Sequence, residues 1–119
     1  MTREEIEAKW DAMTPKERDT WIASDVTGYV PLTTVPNPDG TFGFTPKYTT
    51  DLATAWAVAE QYPIATVERV EIFHGNVEVK VTLWEGFDYI DPVEATAKTV
   101  PEAICKAALL TVMDKEAEA

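Results

Sequence analysis

The sequence predicts one α+β domain over residues 1–119, with helices packed around a small antiparallel sheet centred on a single β-hairpin, in the manner of an α/β/α sandwich. Three observations predict it. Helix-start signals built on threonine recur at Thr2, Thr14 and Thr99. Two alternating runs rich in β-branched residues, 66–73 and 77–84, are separated only by His74-Gly75-Asn76. A length of 119 residues, 45% of them hydrophobic and four of them tryptophan, suits one domain closing one core.

The first helix starts at Thr2, with Glu5 three residues on, which is the spacing of a capping box. Ile6, Trp10 and Met13 follow at helical spacing as its apolar stripe. A second start comes at once: Thr14-Pro15-Lys16-Glu17 offers an N-cap, a proline at the first helical position and a glutamate at the third. That helix is expected to run to Thr27, burying Trp21, Ile22 and Val26, with Gly28 as its terminator.

Residues 29–47 carry four prolines and two glycines, and Asn37-Pro38-Asp39-Gly40 reads as a tight turn. A loop this long in so small a domain is usually functional or packed on a neighbour. A third helix opens at Thr49-Thr50-Asp51, with Leu52, Ala55, Trp56 and Ala59 on one face and Pro63 beyond its end. In the hairpin, Val77, Val79, Val81 and Leu83 point one way, and Glu78, Lys80, Thr82 and Trp84 the other. The 66–73 run holds Glu68, Arg69 and Glu71, which makes it the wetter partner and a candidate edge. A brief third strand is expected at 94–97, after the turn Ile90-Asp91-Pro92. The last helix opens on Thr99-Val100-Pro101-Glu102, with Ala103, Ile104, Ala107, Ala108, Leu110 and Thr111 as a packing face of mostly small residues.

The charge balance, 10 basic against 21 acidic residues, gives a net −11. Such a surface repels nucleic-acid backbones and anionic lipid, so nucleic-acid and membrane partners are disfavoured. An acidic surface also suits a nucleic-acid mimic that occupies a basic protein. The polar N-terminus and the lack of any apolar run near ~20 residues speak against secretion and membrane insertion. Cys105 is the sole cysteine, set in an apolar run where a buried inert thiol is expected, so a reducing cytoplasm fits.

No catalytic motif is visible. His74 is the only histidine and stands in a turn, so no metal site is expected. Ser24 lacks a nucleophile-elbow context, and no phosphate-binding glycine motif occurs. The carboxylate pairs Asp88/Asp91 and Glu68/Glu71 are what chance supplies among 21 acids. Aromatics crowd two places: Phe42, Phe44 and Tyr48 near the proline-rich loop, and Trp84, Phe87 and Tyr89 after the second strand. Such side chains suit stacking or sheet capping. Arg18, Lys47, Arg69, Lys80 and Lys106 are the basic residues considered for a phosphate, Lys106 lying one turn inside a capped helix.

Several stretches together resemble a known family. Met13-Thr14-Pro15-Lys16-Glu17-Arg18-Asp19, running into Asp25-Val26-Thr27-Gly28-Tyr29, is similar to the N-terminal helix and "V-M-G-W" element of the phage ABA sandwich domain proteins. Tyr48 to Trp56 resembles that family's "Y-S-T-D-I-x-A-A-W" helix start, and Pro101 to Leu109 its closing "P-x-A-I-C-R-A-A-L" helix. Thr27 and Tyr29 stand where methionine and tryptophan are usual, and Lys106 where arginine is common. The resemblance implies a phage or prophage protein in the cytoplasm of an infected bacterium, with helices packed on a sheet. Small phage proteins of this kind include anti-defence sponges that sequester cyclic nucleotide signals as homo-oligomers, without chemistry or cofactor. On that reading Tyr48, Phe73 and Trp84 would stack a base while Arg18 and Lys106 met its phosphates. The alternative is an acidic inhibitor or structural phage protein that binds another protein.

Overall fold

The computed structural model describes residues 2–27, 47–73, 75–87 and 91–118, with the side chains of 27, 71–73, 76 and 114–118 outside that description. Most of the proline-rich stretch, with Phe42, Phe44 and the Asn37–Gly40 turn, lies outside the described residues, as do Gly28, His74, Asp88, Tyr89 and Ile90.

Helix α1 (Arg3–Ala12) starts where Thr2 accepts from the Glu5 N–H at 3.2 Å. The return arm of the expected box differs, because the Thr2 hydroxyl itself donates to the Glu5 carboxylate at 3.3 Å. Helix α2 (Pro15–Ile22) has the complete box: the Glu17 N–H donates to Thr14 Oγ1 and the Thr14 N–H to Glu17 Oε1. The Thr14 N–H, and after it the Thr14 hydroxyl, favour the charged form of the carboxylate, so the Glu17 carboxyl is held below its ordinary 4.5. Beyond Ile22 the chain widens into one π-helical turn, Ala23–Thr27, where the sequence predicts continued α-helix. Trp21 Nε1 donates to Asp25 Oδ2 at 2.6 Å in that turn, and Trp21 and Ile22 are buried as expected, with Val26 packed on the core.

Helix α3 (Leu52–Ala59) begins one residue later than its start signal suggests, with Asp51 as an extended N-cap. The Asp51 carboxylate takes the Thr54 hydroxyl instead of a backbone N–H. Its buried face is also different from the expected one. Ala55, Val58 and Ala59 are buried, while Leu52 is 53% and Trp56 45% exposed. Successive helical residues are turned by about 100°, so a stripe at 55, 58 and 59 directs Trp56 sideways to water. The turn leading into α3 is tied to α2 by a buried carboxylate: Asp19 Oδ1 accepts from the Thr49 N–H at 2.8 Å and hydroxyl at 2.7 Å.

Strands β1 (Ile64–Phe73), β2 (Asn76–Trp84) and β3 (Val93–Ala97) form an antiparallel sheet in the order β1-β2-β3. The hairpin closes with Phe73 opposite Asn76, and Gly75 takes φ +84°, a left-handed value that favours glycine. β1 is an edge, as its charged pattern predicts, and β3 adds Val93 to the expected 94–97. Val81 and Leu83 on β2 and Ala95 and Ala97 on β3 share the buried face. On the other face Lys80 is flanked by Glu68 at 3.3 Å and Glu94 at 3.4 Å.

Helix α4 (Val100–Glu118) is the centre of the molecule. It packs on β2 and β3 and also touches α1, α3 and the π-turn. Ala103, Ile104, Cys105, Ala107, Ala108, Leu109 and Leu110 are all buried, so this stretch is covered well beyond one face, with Lys106 its one half-buried residue. Alanines at 103, 107 and 108 let neighbouring elements approach closely. Cys105 donates its thiol to Tyr48 O at 3.2 Å, and burial pushes its pKa far above the ordinary value. Among the described residues, no helix is long and apolar enough to cross a membrane.

Candidate functional site

The first turn of α4 gathers side chains from three helices. Thr99 Oγ1 caps the Glu102 N–H at 3.4 Å, but the Glu102 carboxylate does not return to the cap as a full box would require. It reaches outward instead. Glu102 Oε1 accepts from Arg18 Nη1 on α2 at 3.0 Å and from Trp10 Nε1 on α1 at 3.3 Å. Arg18 Nε donates to Trp10 O at 2.8 Å, and its guanidinium lies 5.3 Å from the Trp10 ring centroid. One carboxylate thus clamps α1 and α2 onto the start of α4.

Two clefts adjoin this clamp. The first, about 480 Å³, is walled by Arg18, Lys98 and Lys106 together with Asp11, Glu78 and Glu102. Lys106 Nζ is steadied by Thr96 O at 3.3 Å. Among the described residues, three cations therefore stand with three carboxylates, a balanced wall on a chain of net charge −11. The second cleft, about 410 Å³, is walled by Pro15, Thr49, Thr50, Thr99 and Pro101, and shares Arg18 and Glu102 with the first.

The five residues assigned to a ligand from the sequence are dispersed. Arg18 and Lys106, 88 positions apart, meet in the first cleft. Tyr48 is buried, so its ring belongs to the core. Trp84 is half-buried at the far end of β2, six residues from Glu78, roughly 20 Å at the rise of a strand. Phe73 closes β1, and its side chain lies outside the described residues. Asp11, Glu78, Lys98 and Glu102 are charged wall residues that sequence reasoning missed. The available signal was the position of Lys98 directly before the Thr99 cap, on the same junction as the helix start. Among the described residues, no group of three histidine, cysteine or acidic side chains is arranged to hold a metal ion.

A central helix between an antiparallel sheet and shorter helices, with a mixed-charge cleft at its first turn, defines a small α+β domain with a candidate ligand cleft. The sequence profile of the phage ABA sandwich domain matches residues 20–109, and the chain belongs to that phage protein family. The matched span contains both the Tyr48–Trp56 and the Pro101–Leu109 segments. The fold is also similar to the 2.0 Å crystal structure of a phage protein from Bacillus cereus ATCC 14579. That similarity has a TM-score of 0.61 and 28% identity over 85% of this chain and 94% of that one. No protein of curated function matches the chain.

Proposed function

We propose that this phage protein is a non-enzymatic accessory protein that sequesters a cyclic nucleotide-type signal of host immunity, and that it does so as a homo-oligomer. The observation that carries the reading is the meeting of Arg18 and Lys106 in one cleft, with Lys98 beside them. A volume of about 480 Å³ lies within the roughly 300–1,000 Å³ usual for small-molecule sites. A guanidinium held by Glu102 and the Trp10 carbonyl is pre-ordered, so little side-chain entropy is lost when a phosphate binds it. The base would have to find a surface other than Tyr48, which the core retains.

Calorimetry and thermal shift with cyclic ADP-ribose isomers and cyclic di- and trinucleotides test the proposal, with light scattering for the assembly. Saturable heat for one member of the panel supports it. Flat titrations and an unmoved melting temperature across the panel would sink it.

Capture of a basic host protein is the second reading, favoured by the net charge of −11 and by Leu52 and Trp56 left exposed on α3. Its signature is a purified basic partner retained at low salt and released steeply as salt rises.

A further inference from the structure

We infer that the outer edge of β1 is a self-pairing interface, at which residues 64–70 of two copies join antiparallel so that two three-stranded sheets become one. The inference rests on the homo-oligomer proposed above and specifies the surface that assembles it. It does not depend on a nucleotide ligand.

β1 is ten residues long and is held from one side. One edge pairs with β2, and among the described residues nothing pairs with the other. Its faces are bare as well. Val67 lies directly opposite Val81, yet Val81 is 0% exposed and Val67 40%. Thr66, Val67, Glu68 and Arg69 are consecutive and all exposed. Successive residues of a strand point to opposite faces, so both faces are open there. A free edge of this length presents a row of unpaired N–H and C=O groups, and main-chain bonds to another extended strand satisfy them.

Charge favours a second copy as that strand. The chain carries −11, but residues 64–70 hold one acid, Glu68, and one base, Arg69. The edge is locally neutral, so two copies meet here without setting net like charge against itself. A strongly basic partner gains nothing from it.

The residues also select the register. Two copies related by a two-fold axis through the sheet pair around one self-opposed position. Glu68 or Arg69 at that position sets like charges directly opposite each other. Val70 there carries the pairing through the irregularity between Glu71 and Phe73. Thr66 there confines the ladder to 64–68, because Pro63 has no N–H to give. Val67 avoids all three faults. It places Ala65 opposite the second copy's Arg69, Thr66 opposite its Glu68 and Ile64 opposite its Val70. Glu68 keeps Lys80 of its own chain at 3.3 Å.

Light scattering on the full chain tests this with wild type, Val67→Glu, Val67→Lys and an equimolar mixture of the two variants. Both changes fall on an exposed side chain, so each copy keeps its fold. Directly opposed residues have Cβ atoms about 4.5–5.5 Å apart, so two glutamates or two lysines repel across the axis while one of each attracts. Wild type is expected at twice the chain mass of 13.2 kDa or an even multiple of it. Each variant alone should fall to half the wild-type mass, and the mixture should return to it. A substitution that only damaged the fold is not rescued by mixing. A monomeric wild type overturns the inference and leaves the edge to an extended segment of another protein. Variants that keep the wild-type mass, or a mixture that stays dissociated, overturn it too. An oligomer indifferent to Val67 leaves the homo-oligomer standing on another surface, and calorimetry with the cyclic panel reads nucleotide binding separately.

Discussion

Arg18 and Glu102, 84 positions apart in the chain, meet at 3.0 Å at the first turn of α4, and the same carboxylate oxygen holds the indole of Trp10. Their side chains are 15% and 23% exposed, so the pair is neither a surface contact nor a fully dry one. Removing one partner strands a poorly hydrated charge and frees an indole N–H. Glu102→Ala is expected to cost roughly 2 kcal/mol in urea denaturation, below the ~3–5 kcal/mol of a fully buried pair because water reaches both groups. Arg18→Met combined with Glu102→Ala should cost less than the sum of the single changes. Additive losses would show that the two residues do not act as a pair.

The complete capping box at α2 predicts a pH signature. Bonds with Thr14 hold the Glu17 carboxyl below 4.5, so its contribution to stability is present above pH 4.5. The contribution is lost as pH falls through the lowered folded value. Wild type should therefore be more stable than Glu17→Gln at neutral pH, and the two should converge in acid. A gap between their melting temperatures that persists at pH 2 would contradict the assignment.

Enclosure of α4 and exposure on α3 predict opposite responses to truncation. Leu109→Ala is expected to cost about 2–5 kcal/mol, since Leu109 is fully buried in the central helix. Trp56→Ala, on a larger side chain, should cost less, about 1 kcal/mol, because nearly half of that residue's surface is already in water. Thermal denaturation of both variants decides it; a large loss at Trp56 would mean that the ring is covered in solution.

Cys105 is expected to be inert in the folded protein. Its thiol is buried, bonded to Tyr48 O and held protonated far above its ordinary pKa by burial, with Asp19 and Glu102 adding to the effect. Ellman's reagent at pH 8 should react only at the rate of global unfolding and promptly in denaturant. Rapid labelling of native protein would contradict the packing around α4.

Much of the fold is legible because local signals and tertiary demand agree. Thr14-Pro15-Lys16-Glu17 caps its own helix with no help from elsewhere, and the alternation from Val77 to Leu83 pairs where it should. The misreadings share a cause. At Thr99–Glu102 the local pattern is that of a capping box, yet a charged-pair and indole contact from residues more than 80 positions away takes the carboxylate. At α3, apolar residues outnumber the space available against α4, so the alanines win the interface and Trp56 is left outside. Tyr48 reads as a loop aromatic, but the Asp19–Thr49 bonds beside it draw that turn against the core. The candidate cleft was only half legible. Arg18 and Lys106 are visible as cations, whereas their meeting depends on how three helices and a strand junction converge.

The four tryptophans allow the central claim to be tested directly, because Trp10 alone among Trp10, Trp56 and Trp84 is bonded to the Arg18–Glu102 clamp. Indole N–H resonances can be followed by ¹⁵N–¹H NMR while a cyclic dinucleotide is titrated in. The account predicts a saturable shift of Trp10, with Trp56 and Trp84 unmoved and the shift abolished by Lys106→Ala. Movement confined to Trp56 or Trp84, or no movement at any indole, would contradict it.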